Sequence, residues 1–278
     1  MSFYIVPTPI GNLKDISNRS IQILSDSDII LCEKKERALK LLNSYSIKPK
    51  LLIAYHDDKC EKIAPRLVKE LTNNKVISLI SDAGTPLISD PGHKIIRFLV
   101  ENKIEPITVP GPSSVISALT LSTLDISNFL FLGFLPKNKS KMVDILKEKL
   151  PINIPLVIFS NTKEVSTIIN ILNNEFRNTF ISISKEISKI NEGTKRGTPD
   201  ELIDIIQDDF FTKGEFIITL VNTLKDSDKT YLKEISILLN SFKNEGITLK
   251  QSVKILKNHF KINKKLIYDE ALKIWDKK

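Results

Sequence analysis

Ser81–Gly92 reads SDAGTPLISDPG, with the apolar run Val76–Ile80 before it and a helix-like segment, Lys94–Asn102, after it. Two acids, Asp82 and Asp90, bracket two glycines and two prolines at the end of a buried strand. Strand ends in open α/β sheets leave a crevice and free backbone groups, and ligands bind there. Gly84 and Gly92 admit backbone conformations closed to other residues, while Pro86 and Pro91 fix φ and stiffen the loop. A plain structural turn needs only a fraction of this turn chemistry.

Two further strand ends are of the same kind. Phe3–Val6 breaks into PTPIGN (Pro7–Asn12), and Ile107–Val109 breaks into PGPSS (Pro110–Ser114) before the helix-like Val115–Ser122. Three such transitions within the first 115 residues predict one crevice lined by several loops. None contains GxxxxGK[ST], and no GxGxxG follows a strand, so a triphosphate cradle and the usual dinucleotide fingerprint are excluded.

Apolar, β-branched runs at Phe3–Val6, Asp28–Cys32, Leu51–Tyr55, Val76–Ile80 and Ile107–Val109 alternate with helix-like stretches, the pattern of a buried parallel sheet. Beyond Ser122 come longer runs at Phe129–Phe134, Pro155–Phe159, Thr179–Ser184 and Glu215–Val221, predicting a second α/β domain with a mixed sheet. After Leu224 only helical spacing remains, in Ser236–Phe242, Leu249–His259 and Lys264–Trp275, joined at Asn244–Gly246 and Lys261–Asn263. The expected domains are 1–115, 116–225 and 226–278, the first boundary falling within Pro112–Leu124.

The 278 residues are 41% hydrophobic and 27% charged, the balance of a globular chain. No uncharged apolar stretch nears the roughly 18 residues that span a bilayer. The N-terminus enters a strand without a basic region or cleavage site, so a cytoplasmic location and no membrane partner are expected. Cys32 and Cys60 are too few for a disulfide framework. Two cysteines and three histidines without ligand spacing lead us to expect no metal site. Net charge is +8, and Asp226–Lys278, with 12 lysines against seven acids, carries five of those charges. Such a tail either contacts nucleic-acid phosphates or packs as an appendage with a solvated lysine face.

PTPIGNLKDIS, SDAGTPLISDPG, VPGPSSVISAL and FLFLGFLPK, in this order, resemble the ribosomal RNA small subunit methyltransferase I family of the tetrapyrrole-methylase-like superfamily. The likeness continues through KEISKINEGTKRGT (Lys185–Thr198), KGEF (Lys213–Phe216) and Gly246–Leu272, nearly the whole chain. It implies a two-domain α/β fold, a class III methyltransferase, with a helix-turn-helix-like C-terminal module. It also implies S-adenosylmethionine as cofactor, a homodimer, and 2′-O-methylation of a cytidine in the decoding region of 16S rRNA in the small ribosomal subunit. By the same resemblance, Pro7, Thr8, Pro9, Asp82, Ala83, Gly84, Thr85, Leu87, Ser89, Pro112, Ser113, Ser114, Phe134 and Leu135 line a cofactor cleft between the two α/β domains. Ser113 and Ser114 also suit a helix N-cap.

An activated methyl group reduces the enzyme's task to alignment and removal of the acceptor hydroxyl's proton. Tyr55-His56 matches a Tyr-His pair of the family, and Glu186 and Lys189 match its Glu-x-x-Lys. His56, Glu186 and Lys189 are therefore the expected catalytic residues, histidine being a common general base. Two segments depart from the family pattern. Glu33 is followed by Lys34, Lys35 and Glu36 rather than Asp-Thr-Arg, and Ser160–Val165 replaces an aromatic-Glu-Ser-Pro-His-Arg run. They keep open a catalytically decayed RNA-associated protein, beside a methyltransferase acting on a tetrapyrrole or a protein residue.

Overall fold

A computed structural model describes residues 2–205, 209–223, 226–260 and 264–275. The chain forms two compact units, Met1–Asn222 and Thr223–Lys278.

The first sheet of the larger unit is built from β1 (Ser2–Ile5), α1 (Asn18–Asp26), β2 (Ile29–Cys32), α2 (Lys35–Ser44), β3 (Leu52–Ala54), α3 (Cys60–Thr72), β4 (Val76–Leu79), α4 (His93–Glu101) and β5 (Pro106–Thr108). Its order is β3-β2-β4-β1-β5, and every pairing is parallel. Side chains alternate between faces, so an all-apolar strand such as Ile29–Cys32 must be covered on both sides. Ile29 and Leu31 pack with Leu67, Leu71, Ile95 and Leu99 from α3 and α4. Ile30 and Cys32 pack with Leu24, Ala38 and Leu42 from α1 and α2.

Helix α5 (Ser114–Leu121) leads into a second sheet, formed with β6 (Leu130–Phe134), α6 (Lys139–Lys149), β7 (Leu156–Asn161), α7 (Thr162–Glu175), β8 (Thr179–Lys185), β9 (Gly193–Gly197), α8 (Pro199–Asp204) and β10 (Glu215–Asn222). The order is β6-β7-β10-β8-β9, parallel only between β6 and β7. This is the mixed sheet that the pattern predicts. Leu146, Val165, Ile168 and Leu172 of α6 and α7 cover one face, against Ile158, Ile183 and Ile218. Helix α5 covers Val157 and Ile217 on the other.

One strand has no apolar signature. Gly193–Gly197 (GTKRG) becomes β9 because all five residues pair with Ile181–Lys185 of β8, tertiary pairing overriding weak β-propensity.

The smaller unit holds α9 (Asp226–Asn244), α10 (Leu249–His259) and α11 (Lys264–Trp275), with Ile235, Leu239, Val253, Leu256, Ile267 and Ala271 as its core. The first helix is longer than the expected Ser236–Phe242, because its polar N-terminal half shows no apolar period. Thr248 and Gln251 form a capping box that starts α10. The expected connection Lys261–Asn263 lies outside the described residues. Among the described residues no helix is long and apolar enough to cross a membrane.

Candidate active site

Within the larger unit, the C-terminal ends of β6, β7 and β8 and the start of β10 lie together and face the loops that follow β1, β4 and β5. Between them is a cleft of about 360 Å³. Ile10, Ala83–Thr85, Ile88–Asp90 and Ser113–Val115 form one wall, and Phe134, Phe159–Asn161, Ser184, Glu186, Ile187, Lys189 and Glu215–Ile217 form the other.

The loop chemistry read from the sequence builds the first wall. Thr8 and Gly84 form a two-way backbone bridge, with Thr8 N–H donating to the Gly84 carbonyl (2.9 Å) and Gly84 N–H to that of Thr8 (3.0 Å). Thr85 Oγ1 donates to the Pro112 carbonyl at 2.9 Å. The three loops thereby become one surface. Gly84 has φ +78°, a value that side chains disfavour. Leu87 (φ +74°) and Ser89 (φ +64°) adopt the same region without being glycine, as do Glu186 (φ +48°) and Ser188 (φ +65°) across the cleft. Such residues each cost roughly 1 kcal/mol or more and concentrate at functional sites.

Both cleft-wall systems meet at one edge. Asn12 N–H donates to Ser188 Oγ at 3.2 Å, and that hydroxyl donates to the Asp15 carboxylate. A β-carbon at Gly11 would sit 2.5 Å from the Ser188 carbonyl oxygen.

The charged groups divide into two sets. On the second wall, Glu186 Oε1 accepts from the Glu215 N–H (2.8 Å) and from Lys189 Nζ (3.1 Å), while Lys189 Nζ also reaches Glu215 Oε2 at 2.7 Å. Burial by itself would raise Glu186, but the Glu215 amide and Lys189 carry it below the usual carboxylate range. Burial opposes the charge on Lys189 too, and the Glu215 and Glu186 carboxylates outweigh it, raising its pKa. On the first wall Asp90 behaves oppositely. Burial, and then the nearby Glu33 and Asp82 charges, push it up to about 6 against a lowering hydrogen bond from Ser81.

The expected site residues fall into three groups. Ala83, Gly84, Thr85, Ser89, Ser113, Ser114, Phe134, Glu186 and Lys189 all line the cleft. Pro7, Thr8, Pro9, Leu87, Pro112 and Leu135 are not among its lining residues. Pro7–Pro9 are buried, Leu87 packs on the first sheet's core, and Leu135 belongs to the second sheet's core. Asp82 directs its carboxylate away from the cleft, to Arg37 (3.0 Å) and Lys34 (3.9 Å), while its N–H donates to Glu33 Oε1 at 3.0 Å. Arg37 thus supplies a guanidinium to the departing segment after β2. Ser113 is the N-cap of α5, accepting from the Ile116 N–H.

His56 lies apart from the cleft, at the end of the edge strand β3. Its neighbours support the cleft loop instead. Asp57 accepts from the Tyr55 hydroxyl (2.9 Å) and from the Gly92 N–H (3.1 Å), with His93 Nδ1 at 2.8 Å.

Ile10, Ile88, Asp90, Phe159–Asn161, Ser184, Glu215 and Ile217 also line the cleft and are not among the expected site residues. Ser160 and Asn161 sit in the departing segment after Phe159, where Asn161 caps α7 by accepting from the Lys163 and Glu164 N–H groups. A bulge in β6 between Phe131 and Gly133 precedes Phe134, a residue that is 60% exposed and whose ring meets Phe159 edge-on with centroids 5.4 Å apart.

Strand-end loops, a cleft between two sheets and a pair of opposed carboxylate environments invite comparison with known proteins. The tetrapyrrole (corrin/porphyrin) methylase family matches residues 2–203. Among relatives, the ribosomal RNA small subunit methyltransferase I of Rickettsia prowazekii is 39% identical over 226 residues, 81% of this chain and 80% of its own. That of Mesomycoplasma conjunctivae is 40% identical over 225 residues, 81% of this chain and 93% of its own. The chain belongs to the ribosomal RNA small subunit methyltransferase I family, within the tetrapyrrole methylases.

Solved structures share this family's fold. A cobalamin biosynthetic enzyme, cobalt precorrin-4 methyltransferase, superposes with TM-score 0.56 at 15% identity, over 78% of this chain and 94% of that one. Uroporphyrin-III C-methyltransferase from Thermus thermophilus, complexed with S-adenosylhomocysteine, gives 0.54 at 16% identity, over 80% and 98%. The two-sheet α/β architecture expected from the resemblance is thus the observed one.

Proposed function

We propose that the protein transfers a methyl group from S-adenosylmethionine to the 2′-hydroxyl of a cytidine in 16S ribosomal RNA of the small subunit. The observation that carries this is a cleft lined on one wall by the three strand-end loops, Asp90 included, and on the other by Glu186 and Lys189, in a chain of this family.

The lining suits the cofactor. Apolar walls at Ile10, Ile88, Phe134 and Phe159 fit its uncharged parts, and the Ser113 and Ser114 hydroxyls and the backbone around Gly84 and Thr85 offer polar anchors. Asp90, Glu186 and Glu215 outnumber Lys189 among the lining charges, which favours a cation. When bound, S-adenosylmethionine supplies an electrophilic methyl on a sulfonium. This chain's part is alignment and removal of the hydroxyl proton. Glu186 is a weak base, because the Glu215 amide and Lys189 stabilise its ionised form. Asp90 is better matched to accept a proton near neutral pH. Glu186 and Lys189 then position the acceptor ribose.

The tail supports an RNA acceptor. Helix α10 exposes Lys250, Lys254 and Lys257 at helical spacing on one face, without ion pairs among the described residues. Action on ribosomal RNA supports the expected cytoplasmic location, and sedimentation tests the expected homodimer.

Incubation of the protein with cofactor and small ribosomal subunits from cells lacking the gene, followed by mass mapping of the RNA, tests the proposal. One 2′-O-methylated cytidine is expected. Transfer to a uroporphyrinoid but not to the subunit would sink it.

A further inference from the structure

A second groove, of about 340 Å³, is lined by Lys137, Lys139 and Lys163 together with Asn161, Met142, Glu164 and Thr167. Asn161 lines both this groove and the cleft described above, so the two adjoin at that residue. Lys137 follows β6, Lys139 opens α6 and Lys163 lies in the first turn of α7. Three separate positions of the chain therefore bring ammonium groups to one depression. All three are exposed, and none has an ion pair among the described residues. Glu164 is the one carboxylate in the lining.

Three cations against one anion leave a local charge of about +2, with mutual repulsion that an anion would relieve. The N-terminal ends of α6 and α7, capped by Asn138 and Asn161, add partial positive charge on the same side. Lys163 and Asn161 lie in the segment that departs from the family pattern, so this chain carries its own cation where the pattern has another residue.

We propose that this groove seats a backbone phosphate of the acceptor RNA strand, next to the nucleotide whose ribose enters the cleft at Asn161. The inference rests on the RNA acceptor proposed above. Its role is positional: ammonium groups hold the phosphodiester without reading sequence, and hold the ribose in register with Asp90 and Glu186.

The test uses the full-length chain with Lys137, Lys139 and Lys163 all changed to Ala, beside a second variant with all three changed to Arg. Binding of a short single-stranded oligoribonucleotide is measured between roughly 50 and 200 mM salt, with methyl transfer to small subunits measured in parallel. The Ala variant should keep wild-type cofactor affinity by calorimetry. Its KM for the subunit should rise at least tenfold, and its logarithmic salt slope should fall by about 0.7, the share of one single-strand phosphate contact. The Arg variant should restore both, which separates charge from folding, and Glu164→Gln should tighten binding. An Ala variant with unchanged slope and KM overturns the groove's role while leaving the acceptor assignment standing. A wild-type protein that transfers no methyl to the subunit overturns the acceptor assignment itself.

Discussion

Gly11 and Ser188, 177 residues apart in sequence, pack so closely that a β-carbon on Gly11 would lie 2.5 Å from the Ser188 carbonyl oxygen. The contact joins the loop after β1 to the turn after β8, and it brings Ile10 and Glu186–Lys189 onto opposite walls of one cleft. The nearest atoms at Ser188 are backbone, which cannot rotate away as a side chain would.

Gly11→Ala should therefore push the two loops apart. We expect a destabilisation of about 1–3 kcal/mol, typical of overpacking, and at least a tenfold loss of cofactor affinity by calorimetry. Unchanged affinity with unchanged melting temperature would show that the contact does not hold the cleft.

Asp90→Asn separates catalysis from stability. The Asp90 pKa is raised from 3.8 to about 6 in the folded protein, so the folded state binds this proton more tightly than the unfolded one. The resulting stabilisation is present below about pH 4 and is lost as pH rises through 6. Asp90→Asn should then be more stable than wild type at pH 7.5, by about 1 kcal/mol once solvent screening of this half-exposed group is allowed for. The two proteins should melt alike below pH 4. Methyl transfer should fall at least a hundredfold in the variant, and the wild-type rate should rise with pH through about 6. A variant of full activity would remove Asp90 from proton transfer.

Lys189→Met leaves the Glu186 and Glu215 carboxylates without their shared cation. Methyl transfer should drop at least tenfold, with cofactor affinity within a few-fold. Stability should change by less than about 1 kcal/mol, because the pair is partly exposed. His56→Ala, outside the cleft lining, should turn over within a few-fold of wild type. A hundredfold loss there would restore His56 as the base.

A chain ending after Asn222 should fold, because Met1–Asn222 is a compact unit with cores of its own. Cofactor affinity should be retained, and RNA affinity and its salt slope should both fall. Equal RNA binding by a well-folded truncation would confine recognition to the larger unit.

The buried strands were legible because period and composition are local properties. The runs Val76–Ile80 and Pro155–Phe159 needed only apolar continuity to be recognised as strands, and they became Val76–Leu79 and Leu156–Asn161. The loops were legible for a similar reason: SDAGTPLISDPG concentrates residues whose backbone preferences are intrinsic. Strand β9 was not, because GTKRG acquires its conformation from pairing with β8 rather than from its own residues. The same division runs through the site. The family resemblance selected Gly84, Thr85, Ser113, Glu186 and Lys189, and the tertiary structure brings them to one cleft. Only the fold decided that Asp90 is raised and Glu186 lowered, since a carboxyl's pKa follows from burial and from which charges and amides approach it. Only the fold set His56 at a sheet edge and brought Lys137, Lys139 and Lys163 to one groove. Residues far apart along the chain share no local signal, and their meeting is settled by how the two sheets pack.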